Sequence, residues 1–438
     1  MNAGKCALVL GCIALLAVFT ARAGLAGDLV SAVTGTAAST CECNGGTEIK
    51  PEELRSEGSV TSVVTPSRML SCATGTCICI PEEKKPEPLE PLFVRPLVKI
   101  ESGRNDSNPV WSPLGTLIAF ERSVGDKREI RITLSDGTPV QTVSFLLSDG
   151  GKEMKFFFPG VSEETSYNAG ISWSPREDRF VFMSNGGEGN YDLYLQDLGG
   201  QVTKRLTEHK EKDGQAQWSP TANRLVFVSG RTGSGDVYLM DLLTRALTRL
   251  TQGGKAYLYP QWSPDGGKIV MMHGSNENHD IVLIGDVAKP VESRKMLTAW
   301  AFDDLRPIWS PDGKKIAFYS NYNPAGDPRL WSIIVISADG SDPTEGDGLA
   351  AKVVAADIVP DMELGPAWMP DSSRIIFVKN DRQEYNPLYV ADIGKKTATP
   401  IKSETKMNHD VSISVDGSIA FRAQVDQWDQ IYVMKLKE

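Results

Sequence analysis

Polar, charged and aromatic residues recur at similar places along the 438-residue chain, a few positions before each Trp-Ser-Pro tripeptide or its variants. Seven are acidic and three are tyrosines, so together they could form an acidic, aromatic-edged mouth. Such a mouth suits a basic peptide, a protein partner, a sugar or a divalent cation. The alternative is an ordinary solvated rim of polar loops. The candidate partner-binding residues are Asp106, Asn108, Tyr167, Asp213, Tyr257, Tyr259, Asp303, Asp304, Arg306, Asp361, Glu363, His409 and Asp410.

Residues for covalent or metal chemistry are sparse. The four histidines form no metal-binding cluster, and no Gly-x-Ser-x-Gly nucleophile motif occurs. The run 276–280 carries oxygen ligands, but it lacks EF-hand spacing and falls where a polar turn is expected. We therefore assign no catalytic residue, no metal site and no cofactor from the sequence.

Thiol chemistry is confined to the amino-terminal part of the chain. After an export signal that contains two cysteines, five remain, and none follows residue 79. Clustered cysteines in an exported segment favour disulfides, with a metal site as the alternative. The number is odd, so the pairing stays open and one thiol has another role. The disulfide candidates are Cys41, Cys43, Cys72, Cys77 and Cys79.

The amino terminus predicts export. A lysine precedes an apolar run over 6–19, and Ala21-Arg22-Ala23 offers a small-x-small cleavage site, so residues 1–23 are interpreted as a signal peptide. Residues 24–93 are a Cys-bearing, Pro/Glu-rich segment and linker, predicted to be partly disordered. The mature chain shows no further apolar run of membrane-spanning length. We expect a periplasmic or secreted protein without a membrane span.

The elements that must position these residues are repeats. Trp-Ser-Pro starts at Trp111, Trp173, Trp218, Trp262 and Trp309, with a variant at Trp368 and a degenerate copy at Ile413. Four of the six spacings are 44–47 residues, the length of a four-stranded propeller blade. Ser-Pro-Asp-Gly matches a type I turn, and β-branched and aromatic runs follow it. Residues 94–438 are therefore predicted to be an all-β, seven-bladed β-propeller of four-stranded antiparallel sheets, with six blades as the alternative.

The ends of the repeat array predict how the ring closes. The seventh unit ends soon after its third strand, whereas the β-like run Arg95–Ile100 precedes the first motif and belongs to no unit. We expect this amino-terminal strand to complete the last sheet, which would pair two open edges. The recurring tryptophans are expected to pack as wedges between blades. Loops before the innermost strands would then surround one mouth of a central channel.

These units resemble the TolB-type propeller repeat, a WD40-like unit built around Trp-Ser-Pro-Asp-Gly, over about residues 98–436. The namesake of that family is a periplasmic protein that binds the peptidoglycan-associated lipoprotein Pal through its propeller. The resemblance implies an exported, non-enzymatic scaffold that binds a protein or peptide partner through the channel mouth, with an envelope lipoprotein as one class of partner. The oligogalacturonate lyases have a similar repeat and bind a metal through clustered histidines, so the alternative is a carbohydrate-active enzyme or glycan-binding propeller.

Charge restricts the partners further. The chain has 46 Lys and Arg against 56 Asp and Glu, a formal net charge of −10 at pH 7. A general nucleic-acid binder needs a basic face, so this balance argues against nucleic acid. The sequence leaves the identity of the partner and the oligomeric state open.

Overall fold

A computed structural model gives the architecture of the chain. The residues that it describes are 61–63, 76–78, 86–125, 127–143, 168–185, 190–199, 203–275, 278–324, 326–327, 329–341, 352–381 and 385–437. The predicted signal peptide, Tyr167, and four of the five candidate disulfide cysteines lie outside these residues. Across the described residues there is no helix with the length and hydropathy that a membrane crossing requires.

The chain divides into two compact units, Met1–Lys85 and Pro86–Glu438. In the first unit, strands β1 (Thr61–Val63) and β2 (Thr76–Ile78) pair in parallel, with Cys77 in register with Ser62. The second unit consists of seven four-stranded antiparallel sheets arranged as the blades of a propeller. This confirms the predicted all-β fold with seven blades and excludes the six-bladed alternative.

Six blades take their four strands consecutively from the chain. Blade 1 contains β4 (Asn105–Trp111), β5 (Leu117–Val124), β6 (Lys127–Leu134) and β7 (Pro139–Val143). Blade 2 contains β8 (Asn168–Trp173), β9 (Arg179–Ser184), β10 (Asp192–Asp197) and β11 (Thr203–Arg205). Blade 3 contains β12 (Asp213–Trp218), β13 (Arg224–Ser229), β14 (Asp236–Asp241) and β15 (Leu247–Arg249).

The next three blades repeat this order. Blade 4 contains β16 (Ala256–Trp262), β17 (Ile269–Ser275), β18 (Asn278–Ile284) and β19 (Arg294–Met296). Blade 5 contains β20 (Asp304–Trp309), β21 (Lys315–Ser320), β22 (Trp331–Ser337) and β23 (Val353–Ile358). Blade 6 contains β24 (Ala367–Trp368), β25 (Arg374–Val378), β26 (Leu388–Asp392) and β27 (Thr397–Pro400).

Blade 7 combines strands from both ends of the propeller. It contains β28 (Lys406–Ile413), β29 (Ile419–Val425) and β30 (Trp428–Leu436), with β3 (Pro91–Pro96) as its outer strand. β3 pairs antiparallel with β30, so the amino-terminal strand starts four residues before the run expected from the sequence. Leu97 extends this pairing by donating its backbone N–H to Ile431 (2.8 Å), and its side chain is buried between blades 7 and 1.

The repeated tryptophan is a wedge between neighbouring blades, as predicted. The six repeat tryptophans are 5–9% exposed. Four donate the indole N–H to a backbone carbonyl on the inner strand of the preceding blade, which adds a directional bond to the packing. These bonds join Trp173 to Val110 (3.4 Å), Trp262 to Gln217 (3.2 Å), Trp309 to Gln261 (3.2 Å) and Trp368 to Ile308 (3.3 Å).

Candidate functional site at the channel mouth

Each inner strand has a special backbone position three residues before its tryptophan, or before Ile413 in blade 7. The strand register shifts around this position in six blades, which marks a β-bulge. The residue adopts a left-handed backbone in all seven blades. These residues are Asn108 (φ 50°), Gly170 (67°), Gln215 (53°), Tyr259 (52°), Arg306 (55°), Gly365 (81°) and Asp410 (51°).

At the bulge position the backbone favours glycine, yet most blades have a residue with a side chain there. A left-handed backbone costs a residue with a side chain roughly 1–2 kcal/mol, whereas glycine adopts it freely. Gly170 and Gly365 show that glycine fits the position in this fold. The other five blades keep a side chain there despite the cost, and such strained positions concentrate at binding sites.

Several bulges are joined to one another around the ring. The backbone N–H of Asn108 donates to the carboxylate of Asp410 (3.2 Å), which connects blades 1 and 7. The N–H of Tyr259 donates to the side-chain oxygen of Gln215 (2.7 Å), which connects blades 4 and 3. Hydrogen bonds thus join the bulges at two of the seven blade junctions, and we call the ring of seven bulge positions the collar.

A cation–π pair lies on this collar between blades 4 and 5. The Arg306 guanidinium lies 4.1 Å from the centroid of the Tyr259 ring and donates a hydrogen bond to the backbone carbonyl of Glu363. Arg306 is 4% exposed, and burial lowers the pKa of its guanidinium while burial raises the pKa of the Tyr259 hydroxyl. Blades 4, 5 and 6 thus meet at one charged cluster.

Blade 1 adds a buried carboxylate to the same region. Glu121 forms an ion pair with Arg128 (2.8 Å) and accepts a hydrogen bond from the backbone N–H of Gly170 (3.1 Å). The pKa of Glu121 is raised to about 7, mainly by burial. The charge of Glu363 contributes to this rise, and Arg128 opposes it. Burial likewise raises the pKa of Glu363, opposed by Arg306 and Arg128. The charge of Glu363 therefore acts on Glu121 of blade 1 and on Asp410 of blade 7.

A small pocket lies where blades 5, 6 and 7 meet. Its polar lining comes from Tyr319, Asp361, His409 and Asp410, and Gly365 adds backbone. Burial raises the pKa of Asp361 to about 7, and the neighbouring charge of Asp410 adds to the shift. Burial lowers the pKa of His409, so its imidazole is neutral at physiological pH.

Three candidate aspartates lie inside their own blades rather than on this mouth. Asp106, Asp213 and Asp304 occupy matching places five residues before the tryptophan and are all fully buried. Asp106 accepts two hydrogen bonds from Arg122 (2.6 and 2.7 Å), and Asp213 pairs with Arg231 at 3.0 Å. Asp304 has no such arginine.

Two further candidates lie in local contacts of blades 4 and 5. The ring of Tyr257 stacks on His273 with 4.1 Å between centroids, and its hydroxyl accepts a hydrogen bond from Arg294 (3.1 Å). Asp303 accepts a hydrogen bond from the backbone N–H of His279 (3.0 Å) and lies 2.8 Å from its ring Nδ1.

The structure thus brings together seven of the sequence candidates, and it adds residues that the sequence did not single out. The seven are Asn108, Tyr259, Arg306, Asp361, Glu363, His409 and Asp410. The additions are Glu121, Arg128, Tyr319 and Arg422, which lie on second and third strands away from the tryptophan motif. Counting three residues back from each tryptophan would have identified the bulges. Within the described ranges, no group of three or more His, Cys, Asp or Glu side chains is arranged to hold a metal ion.

Comparison with known proteins places this fold in context. Residues 159–345 match the family model of the TolB beta propeller domain. An oligogalacturonate lyase in complex with manganese is 14% identical, with a TM-score of 0.58 over 81% of this chain and 98% of that chain. A puromycin-hydrolysing peptidase from Mycobacterium tuberculosis is 12% identical, with a TM-score of 0.56 over 80% of this chain and 54% of that chain.

TolB from Acinetobacter baumannii is 18% identical, with a TM-score of 0.47 over 71% of this chain and 66% of that chain. The chain therefore spans slightly less than two thirds of the length of that structure. At their identities the matches to the lyase and the peptidase show a shared fold and nothing about activity. The seven sheets and their bulged inner strands define a β-propeller. Over residues 159–345 this propeller is similar to the TolB beta propeller domain.

Proposed function

We propose that this protein is an exported, non-enzymatic scaffold that binds a protein or peptide partner through the channel mouth. The observation that carries the proposal is the collar of inner-strand bulges. Five blades retain a side chain where glycine would avoid backbone strain, and these five polar, charged or aromatic residues contact one another in two groups, Gln215–Tyr259–Arg306 and Asn108–Asp410. A rigid ring that presents fixed polar groups loses little conformational entropy on binding, which favours partner recognition.

The mouth offers an acidic, uneven surface. Asp361, Glu363 and Asp410 face two guanidinium groups, those of Arg306 and Arg422. The Arg422 guanidinium is held by Asp410 (2.6 Å) and Asp429 (3.0 Å), so it is already neutralised. A partner with basic groups complements this arrangement, because unlike charges across an interface steer association.

Site-specific crosslinking tests the mouth. A photo-reactive amino acid replaces the exposed Glu363 in the full chain, and a matched chain carries it at Glu208, whose side chain is 75% exposed on blade 2. Irradiation in cells, followed by mass spectrometry, should give a defined protein adduct at 363 and none at 208. Adducts that are the same at both positions, or no adduct at 363, would refute partner binding at the mouth. The glycan-binding alternative predicts instead that added oligosaccharides reduce crosslinking at position 363 or are cleaved by the protein.

Export is tested separately. Amino-terminal sequencing of the protein recovered from the envelope or medium should begin at Gly24, directly after the expected signal peptide. A chain that keeps Met1 and stays with the cytosolic fraction would contradict the export proposal.

A further inference from the structure

Asp361 lines the pocket between blades 5, 6 and 7, and one of its carboxylate oxygens has no hydrogen-bond partner among the described residues. Asp361 Oδ1 accepts hydrogen bonds from the backbone N–H groups of Glu363 (2.8 Å) and Leu364 (2.9 Å), which fixes the carboxyl group in one orientation. The other oxygen, Oδ2, is buried and accepts no hydrogen bond. A buried acceptor without a donor is costly, so the site is incomplete as it stands.

The surroundings of this oxygen are acidic. Asp410 lines the same pocket, and its charge acts directly on Asp361. Asp410 is itself bound by Arg422 and by the backbone N–H of Asn108, so its negative charge is compensated. His409 is neutral, which leaves Asp361 as the lining carboxylate that still requires a positive partner.

We propose that this pocket binds the ammonium group of a lysine side chain or of an amino terminus presented by the partner. The inference rests on the proposed function and specifies its ligand chemistry. An ammonium group is a compact charge with three donors, which suits a small pocket with one free carboxylate oxygen. The planar guanidinium of arginine needs a wider, two-oxygen partner, and here Oδ1 is already used by the backbone.

Binding should be coupled to a proton. With a pKa of about 7, Asp361 carries a proton in about half of the free molecules at neutral pH. An arriving ammonium group favours the carboxylate form and expels that proton. Affinity should therefore rise with pH between about 6 and 8, by at most tenfold per unit below the pKa of Asp361. The charged and titratable groups facing Asp361 are Asp410, Glu363, Arg306, Tyr319, His409 and Arg422.

Calorimetric titration of the full mature chain tests the ligand class. The probes are four pentapeptides, acetyl-Gly-Ser-X-Ser-Gly-amide, in which X is lysine, acetyl-lysine, norleucine or arginine. The lysine peptide should bind at least about tenfold more tightly than the norleucine and acetyl-lysine peptides, and more tightly than the arginine peptide. Titrations at pH 7 in two buffers of different ionisation enthalpy should show release of about half a proton.

A substitution assigns the effect to this pocket. Asp361→Asn keeps an oxygen that can accept the two backbone hydrogen bonds but removes the charge, so the fold is retained while lysine binding falls about tenfold and proton release disappears. Glu208→Gln, an exposed carboxylate on blade 2, is the matched control and should leave both unchanged. Equal affinities for the lysine and norleucine peptides, tighter binding of arginine, or an unaltered Asp361→Asn variant would each overturn the proposal.

The two proposals fail in different ways. A specific crosslink at position 363 without lysine selectivity would leave the partner site standing and remove the ammonium pocket. Lysine selectivity that depends on Asp361 without any crosslinked partner would keep the pocket and remove the scaffold function.

Discussion

Asp304 is a buried carboxyl group without the arginine that pairs with the equivalent aspartate in blades 1 and 3. In blade 3 the equivalent Asp213 pairs with Arg231, two residues beyond its strand partner Ser229. In blade 5 the residue two positions beyond the corresponding strand partner is Tyr322. Among the described residues neither oxygen of Asp304 makes a hydrogen bond of regular geometry, although the hydroxyls of Ser320 and Thr298 lie close enough to act on its pKa. Burial raises its pKa well above the usual value, and Ser320 and Thr298 offset part of that shift.

The consequence for stability follows from proton linkage. Above about pH 4 the unfolded chain releases the proton of Asp304, while the folded protein keeps it up to the raised pKa. The stability from this group is fully present below about pH 4 and declines by about 1.4 kcal/mol for each pH unit until the folded pKa is reached. Asp304→Asn has no proton to lose, so its advantage over the natural chain should grow with pH at that slope.

Denaturant unfolding between pH 4.5 and 8 measures this difference. The natural chain and Asp304→Asn should diverge steadily as pH rises, with the variant more stable at neutral pH. Asp213→Asn is the matched control, because its carboxylate is paired with Arg231. It should lose roughly 1–3 kcal/mol, because Arg231 loses the carboxylate that binds it. Stability curves for the natural chain and Asp304→Asn that run parallel across this range would refute the reasoning.

Three further predictions follow from the repeats. Trp262→Phe, measured by urea unfolding, should cost about 1 kcal/mol more than Trp218→Phe, because only the Trp262 indole N–H has a hydrogen-bond acceptor. Gly365→Ala should lower the melting temperature more than Gly170→Ala. Both variants place alanine at a positive φ, but a Cβ at 365 would lie 2.8 Å from a side-chain carbon of Ile308 in blade 5, whereas a Cβ at 170 would make only ordinary contacts. Removal of the chain through β3 should abolish a single cooperative thermal transition, whereas a chain that starts at Pro86 should keep it, because β3 completes blade 7.

Each of these comparisons has a contrary outcome. Equal costs for the two tryptophan variants would mean that the interblade hydrogen bond adds nothing to packing. Equal costs for the two alanine variants would mean that the backbone around blade 6 yields easily. An unchanged transition after loss of β3 would show that blade 7 is stable with three strands.

Repeat spacing and turn chemistry were sufficient to predict the seven blades. In the turn of blade 4 the Ser263 hydroxyl donates to Asp265 (2.5 Å), and the N–H of Gly266 donates to the Ser263 carbonyl (2.8 Å). These bonds depend on neighbouring residues, so a sequence pattern contains them completely. The start of the closing strand was less certain, because proline at both ends of β3 is tolerated only where an outer strand needs few donors.

The site could be predicted only in part, for a reason of strand geometry. Asp304 and Arg306 were expected at the same mouth because both precede the tryptophan motif, and residues two apart share a face in a regular strand. The bulge at Arg306 breaks that rule: Asp304 is buried inside its blade while Arg306 reaches the Tyr259 ring of the next inner strand. Glu121 and Arg128 carried no signal at all, because their role depends on the position of blade 6 across the channel.

The shared sheet of blade 7 also sets the order of events during synthesis. Asn105 accepts a hydrogen bond from the backbone N–H of Asp429, 324 residues further along the chain. β3 likewise can pair only after β30 has been synthesised. The first six blades take their strands consecutively from the chain, but the circle stays open until β30 is available to pair with β3. Closure of the ring therefore requires contacts between distant parts of the chain, and a product that lacks β30 would expose the flanks of its first and last blades to proteases.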